Sequence, residues 1–446
     1  DGVTGNVELS FGYDGAGDLT TLADAHGNTV TIERTGGRPA ALVAPGGQRT
    51  VLSTDDVTGW LTEIRNPEGE TVKLTYYDGD AAGLMKTYEN ARHFVTSYAY
   101  DDLGLLVSGE DAVTGGKAFA AGSQGAARTV TGTTALGRTA IHSVEELGEG
   151  ETARSVTDGA GNRTAWVESA GGSRTVTFPD GTEMAVTVEP DPRWGLLAPV
   201  ARQTTIRTPG GLERVETVSV DAPAGIGGAL TVAHTVNGST VTTAFDPVEN
   251  TVTRTTEMGR TSVMSLDAAG NPSRLTPPRG ASTDLTYDSR GLLTGLARGA
   301  RTTTFGYGAD RYLETTLDAE LQMTRFSGDA IGRTQAETRP DEQIVAFSYD
   351  ASGNLRSITP PGRPAHELDF NEVDLVDRYS PPDLAGYTAG AFDAHATYNA
   401  DRQVKTITLP GGGAITRSYS SGSGRLTEIA TPDGTLHFGY GTCPGE

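Results

Sequence analysis

An all-β fold built from repeated antiparallel hairpins is what this sequence predicts, and three observations predict it. First, an aromatic residue or Leu followed by Asp recurs at a fixed step: Phe245-Asp246, Leu266-Asp267 and Tyr287-Asp288 lie 21 residues apart, and Phe305-Gly306-Tyr307 follows 20 later. A constant period of this size marks a repeat protein. Second, apolar residues ahead of each beat fall two apart, as at Leu285 and Tyr287, Phe347 and Tyr349, or Leu436, Phe438 and Tyr440, with Thr286, Ser348, His437 and Gly439 between them. That alternation marks a strand with one buried face. Third, turn signals such as Pro277-Pro278-Arg279-Gly280 and Pro340-Asp341-Glu342 punctuate the chain, while helical periodicities are missing.

Each unit reads as two strands and two turns. The Asp after the aromatic accepts hydrogen bonds from amides ahead of it, and a glycine such as Gly291 or Gly353 takes positive φ without a Cβ clash, so the chain reverses into a hairpin. After the turn comes an apolar pair spaced by three: Leu61 and Ile64, Leu293 and Leu296, Leu355 and Ile358, Val404 and Ile407, Leu426 and Ile429. In a regular strand such residues face opposite ways, so either both faces are partly buried or each second strand carries a bulge.

The heptapeptides Tyr287-Asp288-Ser289-Arg290-Gly291-Leu292-Leu293 and Tyr349-Asp350-Ala351-Ser352-Gly353-Asn354-Leu355 carry a resemblance. Tyr-Asp-x-x-Gly-x-Leu, an apolar residue three on and then a Pro/Gly turn resembles the RHS or YD repeat of bacterial polymorphic toxins, insecticidal toxin-complex C components and teneurins. The match is good from Phe245 to Tyr440, fair from Phe11 to Tyr100 and thin between Asp111 and Thr243. The repeat-motif residues are Tyr13, Asp14 and Gly17, Tyr100 and Asp101, Tyr287, Asp288 and Gly291, Tyr307, Tyr349, Asp350 and Gly353, then Tyr398, Tyr419 and Tyr440. The resemblance implies an RHS/YD-repeat spiral of antiparallel hairpins forming part of a hollow shell.

In order, residues 1–110 read as YD repeats with beats near Tyr13, Ile32, Leu52, Tyr76 and Tyr100. Across residues 111–243 the aromatic-Asp beat is lost, but β-branched runs such as Ser173-Arg174-Thr175-Val176-Thr177-Phe178 and turns such as Pro179-Asp180-Gly181-Thr182 remain, giving degenerate repeats or a β insert. Residues 244–446 are regular YD repeats, interrupted by one 28-residue step carrying Pro381-Pro382 and Tyr387, an enlarged loop. The whole is expected to be one continuous repeat domain, because an array adds units along a single axis. At about 21 residues per hairpin the chain holds about 42 strands, a ribbon of about 200 Å that gives a ring near 60 Å across or one to two turns of wall.

Composition narrows the function. The net charge is −22 over 446 residues, with 59 glycines and only four lysines, Lys73, Lys86, Lys117 and Lys405. A surface of this sign opposes binding to phosphate backbones, so nucleic acid is not an expected partner. Cys443 is the single cysteine, which rules out an internal disulfide. No apolar run approaches the roughly 18 residues of a membrane span. The chain begins at Asp1 and ends within the repeat opened by Tyr440, so it is expected to be a piece of something longer.

Catalytic patterns are absent: no Gly-x-Ser-x-Gly, no phosphate loop, no His-Glu-x-x-His and no cysteine pair. The seven histidines, His26, His93, His142, His234, His366, His395 and His437, are scattered along the chain. Acidic turns at Asp14 to Asp18, Asp158 to Asn162 and Asp267 to Asn271 resemble calcium loops in composition, but each has at most two carboxylates and fits a self-closing turn better, so no metal or cofactor is expected. Paired carboxylates, Asp55-Asp56 and Asp101-Asp102, read as turn residues. In RHS toxins the repeats lead into a core segment with an aspartyl autoprotease; Asp191-Pro192-Arg193-Trp194-Gly195 is the nearest string here and lacks the rest, so self-cleavage is not expected.

The resemblance implies a non-enzymatic shell segment of a secreted RHS-repeat protein, enclosing or presenting a polypeptide toxin. Its partners would be that cargo or other segments of the same larger protein. The alternative is a cell-surface adhesion or filament-like scaffold with possible carbohydrate contact, and a carbohydrate-active β-protein is the third reading. One whole side of the sheet, at Thr286, Ser348, Glu367, Asp369 and Gly439, is small or polar, which predicts a hydrated, net-acidic concave surface without a deep apolar pocket.

Overall fold

A computed structural model describes residues 3–113 and 115–440; Cys443 and the other residues after Tyr440 lie outside them. Thirty-nine strands run from β1 (Leu9–Tyr13) to β39 (Gly434–His437), with one short 3-10 turn at Gly79–Ala81 as the single helical element among the described residues. Each strand pairs antiparallel with the one before and the one after it, so the sheet is an open meander in sequence order. The ladder runs unbroken through the region without aromatic-Asp beats, where the strands lengthen, reaching 13 residues in β18 (Gly195–Arg207).

The bulge is the answer to the three-residue spacing. Between β25 (Thr283–Tyr287) and β26 (Leu293–Arg298), Tyr287 faces Leu293 while Thr286 faces Gly295, so Thr294 is the extra residue. The same slip leaves Arg356 over after Tyr349↔Leu355, Lys405 after Tyr398↔Val404 and Thr427 after Tyr419↔Leu426. One added residue turns a spacing of three into a spacing of two, placing Leu293 and Leu296 on the face of Tyr287 and Leu285. Several bulged hydroxyls bond across to the strand they left: Thr294 Oγ1 donates to the Thr286 carbonyl at 3.2 Å and Thr62 Oγ1 to that of Ser53 at 3.1 Å.

Among the described residues every extensive strand–strand contact is between sequence neighbours, and no second sheet packs against either face. The sheet is therefore one layer thick. Buried apolar side chains among the described residues are few: Ala41, Val176, Val186, Leu230, Phe245 and Val345. Tyr287, Phe305, Tyr307, Phe347, Tyr349 and Phe370 are half-buried, short of the core placement that an aromatic seam suggests. Thr286, Ser348 and Glu367 are exposed on the other face. There, cross-strand hydroxyl pairs tie neighbours together, at 2.6 Å for Ser348 and Ser357 and 2.8 Å for Ser143 and Ser155.

Turns that follow odd-numbered strands, among them those with the aromatic-Asp beat, form one rim of the sheet, the YD rim; turns that follow even-numbered strands form the counter rim. The ribbon coils until the two rims meet. The counter-rim turn between β4 (Arg38–Val43) and β5 (Arg49–Thr54) touches the YD-rim turn between β27 (Arg301–Tyr307) and β28 (Leu313–Leu317), through Gln48 Nε2 donating to the Asp310 carbonyl at 2.6 Å. An offset of about 23 strands at about 4.8 Å each makes a coil on the order of 35–50 Å wide, depending on strand tilt, with about one and two-thirds coils in all. The coil is tighter than the 60 Å ring that the sequence suggests.

Candidate functional site: the seam between coils

The unit of the site is the YD turn. In residues 288–292 the Asp288 amide donates to the Leu292 carbonyl at 2.9 Å and the Gly291 amide to the Asp288 carbonyl at 3.0 Å. The carboxylate closes the same loop: Asp288 Oδ1 accepts from the amides of Arg290 at 2.9 Å and Leu292 at 3.0 Å. Asp350 repeats this with Ser352 and Asn354, Asp14 with Ala16 and Asp18, and Asp101 with Leu103 and Leu105. Gly291 and Gly353 sit at φ of 77° and 87°, the left-handed conformation that this reversal needs. Arg311, Leu321, Asp374 and Arg402 hold similar φ values with a side chain attached.

These carboxylates are committed to their own backbone. The Asp18 and Ala16 amides hold Asp14 below its ordinary 3.8. Burial alone would raise Asp288, but bonds from the Leu292 amide and the Arg290 side chain outweigh it and leave the group lowered. Asp329 behaves likewise, its burial penalty overcome by Arg333. Acceptors of this kind are poor proton carriers at neutral pH.

The motif tyrosines reach backwards. Tyr287 Oη donates to the Pro272 carbonyl at 3.0 Å, Tyr349 to Thr334 at 2.9 Å, Tyr307 to Leu293 at 2.9 Å, Tyr419 to Val404 at 2.7 Å and Tyr398 to Val376 at 2.6 Å. Each bond ties the end of one strand to the start of the strand before it. Tyr13 and Tyr440, at the two ends of the sheet, are 63% and 52% exposed, and Tyr100 lies edge-on to Tyr77 with ring centroids 6.1 Å apart.

Between coils the turns interlock. Asn28 Nδ2 donates to the Arg290 carbonyl at 2.9 Å, and Arg311 reaches Asn28 Oδ1. Arg92 donates to the carbonyls of Phe370 at 2.6 Å and Asn371 at 2.8 Å and pairs with Asp374 at 2.9 Å. Arg138 pairs with Asp401 at 2.7 Å, both nearly buried, and Arg333 with Glu70 at 2.8 Å. Arg402 pairs with Asp111 at 2.8 Å. Residues joined this way lie 262 to 291 apart in sequence. Arginines thus come from both sides and meet carboxylates or turn carbonyls, bonds that gain from partial exclusion of water.

None of these seam residues stands out in the sequence except as turn composition. The available signal is arginine at the tips of second-coil YD turns, Arg290, Arg311, Arg333 and Arg402, where the first-coil turns at 14–18, 55–60, 77–84 and 101–105 have none. Asp191 is 5% exposed and stapled by Arg193, whose guanidinium holds it down to about 2. Among the described residues no three His, Cys, Asp or Glu side chains converge as a metal site. The expectation of a surface without an apolar pocket needs one amendment. The 381–393 loop makes an open cleft of about 870 Å³ lined by Pro360, Pro381, Pro382, Pro410, Phe392 and the stacked pair His366 and Tyr379, on the free counter rim.

A one-layer meander of YD hairpins coiled so that its turns interlock defines a shell-wall protein of the RHS/YD-repeat class. The profile of the Teneurin YD-shell family matches residues 1–445; the chain belongs to that family. It is 24% identical to Teneurin-1 of Gallus gallus over 454 residues, 98% of this chain and 16% of that protein, and 24% identical to Teneurin-4 of Mus musculus over 402 residues, 85% and 14%. The chain thus spans about one-sixth of the length of these relatives. Double-stranded DNA deaminase toxin A of Burkholderia cenocepacia (strain H111) is 28% identical over 172 residues, 38% of this chain and 11% of that one. Among solved structures, TcdB2-TccC3 without its hypervariable C-terminal region aligns with a TM-score of 0.46 at 13% identity, covering 95% of this chain and 25% of that one.

Proposed function

We propose that this chain is a non-catalytic segment of a shell wall that encloses or presents a polypeptide cargo, as part of a larger secreted or cell-surface protein. The observation that carries the reading is the interlocked seam. A single sheet with one hydrated face gains nothing from coiling unless its rims are held, and here Arg92, Arg138, Arg333 and Arg402 hold them. All 39 strands are taken as one repeat domain, since the ladder has no break at which a separate unit could begin.

Limited proteolysis of the natural full-length protein tests the enclosure. Sequence outside residues 1–446 should resist protease while the wall is intact and become cleavable at protease levels that leave the wall uncut once Arg138→Ala and Arg333→Ala open the seam. Equal cleavage before and after seam opening speaks against a cargo.

The scaffold reading is favoured by a separate observation, the 381–393 loop with Leu384 and Tyr387 at 56% and 64% exposure. Contiguous apolar groups on a rim suit a protein partner. Loss of cell-surface binding on replacing both by Ser, with proteolytic protection unaffected, would favour that role.

A further inference from the structure

Departures from the repeat motif fall where the two coils touch. In a regular YD turn the left-handed position is glycine, yet three second-coil turns fill it with a side chain: Arg311 at φ 74°, Asp374 at 61° and Arg402 at 61°. A Cβ in that conformation presses on the following carbonyl, so the choice costs stability unless the side chain gains a contact in return. All three reach the first coil. Arg311 donates to Asn28 Oδ1, Asp374 pairs with Arg92 at 2.9 Å, and Arg402 pairs at 2.8 Å with Asp111, whose side chain is 5% exposed.

Where glycine is kept, the contact runs the other way. The His26 ring lies so close over Gly291 that a Cβ there would stand 2.7, 2.8 and 2.9 Å from three of its atoms, and Asn271 Nδ2, 3.1 Å from His26 Nε2, holds the ring in place. A Cβ on Gly424 would stand 3.1 Å from the Arg138 guanidinium, and one on Gly270 3.1 Å from Asn6 Nδ2. At Gly332 and Gly353 the neighbouring side chain comes from the preceding YD turn, Tyr312 and Arg333.

We infer that the left-handed residue of a second-coil YD turn specifies how that turn meets the first coil. A side chain there is a knob that enters the first coil, and glycine there is a seat for a knob that the first coil supplies. Arg311, Asp374 and Arg402 are then register-setting residues rather than decayed repeats, and Gly270, Gly291 and Gly424 serve for space as well as for φ. The pattern penalises slippage between coils. A slip of one YD turn in one direction sets His26 on Arg311, and in the other sets Arg138 on Arg402, knob against knob. The inference concerns the coiled wall itself and requires no cargo.

Substitutions to glycine should have opposite signs on and off the seam. Leu321, left-handed and 79% exposed on the counter rim, enters no other coil, so Leu321→Gly should raise the thermal midpoint by removing strain alone. Arg311→Gly and Asp374→Gly remove the same strain together with a knob. Each should lower the midpoint and speed amide exchange by about tenfold or more in the first-coil turn that it meets, 24–28 or 90–94, with turn 14–18 unchanged. Seats are tested by adding a methyl group. Gly17→Ala and Gly291→Ala incur similar left-handed strain, at φ 87° and 77°, but nothing lies within 4 Å of the new atom at Gly17. Gly291→Ala should therefore lose more, and the excess should vanish in a His26→Ala background. A Gly291→Ala chain that does not fold leaves Arg311→Gly and Asp374→Gly to decide. Midpoints raised by those two, as by Leu321→Gly, overturn the inference. So does an excess at Gly291→Ala that persists without His26, or no excess at all.

Discussion

Tyr349 shows how one side chain serves two strands. Its ring is half-buried against the neighbouring hairpin with the Arg333 guanidinium 5.3 Å from its centroid, and its hydroxyl closes on the Thr334 carbonyl. Tyr349→Phe removes only the hydroxyl and should cost about 1 kcal/mol, the net worth of one hydrogen bond. Tyr349→Ala should cost about 2 kcal/mol, less than the roughly 3 kcal/mol of a fully buried ring, because part of its surface already meets water. Thermal midpoints of the two variants check the order, and equal midpoints would show that the ring carries no load. Leu321 offers the opposite sign. It sits at φ 61° with 79% of its surface exposed, so Leu321→Gly relieves left-handed strain without losing packing and should stabilise by about 1 kcal/mol. A lower midpoint for that variant would contradict the turn assignment.

At the scale of the hairpin, turn and bulge act together. The Asp, its two amide bonds and the positive-φ residue reverse the chain, and the bulge just beyond resets the phase so that both strands present apolar groups to one face. Turn carboxylates such as Asp14, Asp267, Asp288 and Asp329 are lowered from 3.8, which makes the ionised form the one that favours folding. Their stabilisation is complete above the unfolded value and lost as pH falls through 3.8 and below. Denaturant midpoints measured from pH 7 down to about pH 3 should therefore stay level to about pH 5 and then drop. Asp288→Asn, which keeps an acceptor but cannot titrate, should show a shallower drop, and an unchanged profile would remove Asp288 from the account. Much of this element was legible, because Tyr-Asp-x-x-Gly places the strand end, the acceptor and the left-handed residue within five positions. The bulge was not, since Leu293 and Leu296 are equally compatible with a strand buried on both sides until the partner register of Tyr287 is known.

The whole molecule depends on what lies far apart in the chain. Coiling was implied by family resemblance, but the pairing of residues 24–28 with 288–292, or of Arg138 with Asp401, follows from curvature accumulated over about 23 strands, and no local pattern encodes that sum. Strand width alone gave too broad a ring for the same reason. Arg138→Ala should leave secondary structure intact while raising amide exchange in turns 134–138 and 399–403 and leaving turns 14–18 unchanged, because it strands the nearly buried Asp401 carboxylate at one point of the seam. Uniform exchange across all turns would show that the rims do not depend on these pairs.

The central claim is that the rims of successive coils meet, and one distance tests it most directly. Glu68 on the counter rim accepts a bond from the Ala330 amide on the YD rim across 262 residues. Spin labels at Glu68→Cys and Ala330→Cys, with Cys443 replaced by Ser, should give a pulsed electron-resonance distance below about 25 Å once label linkers are included. The same positions on an uncoiled ribbon would be about 110 Å apart, from 23 strands at about 4.8 Å. A narrow short distance is the result predicted by the interlocked wall, and a distance beyond about 60 Å would contradict it.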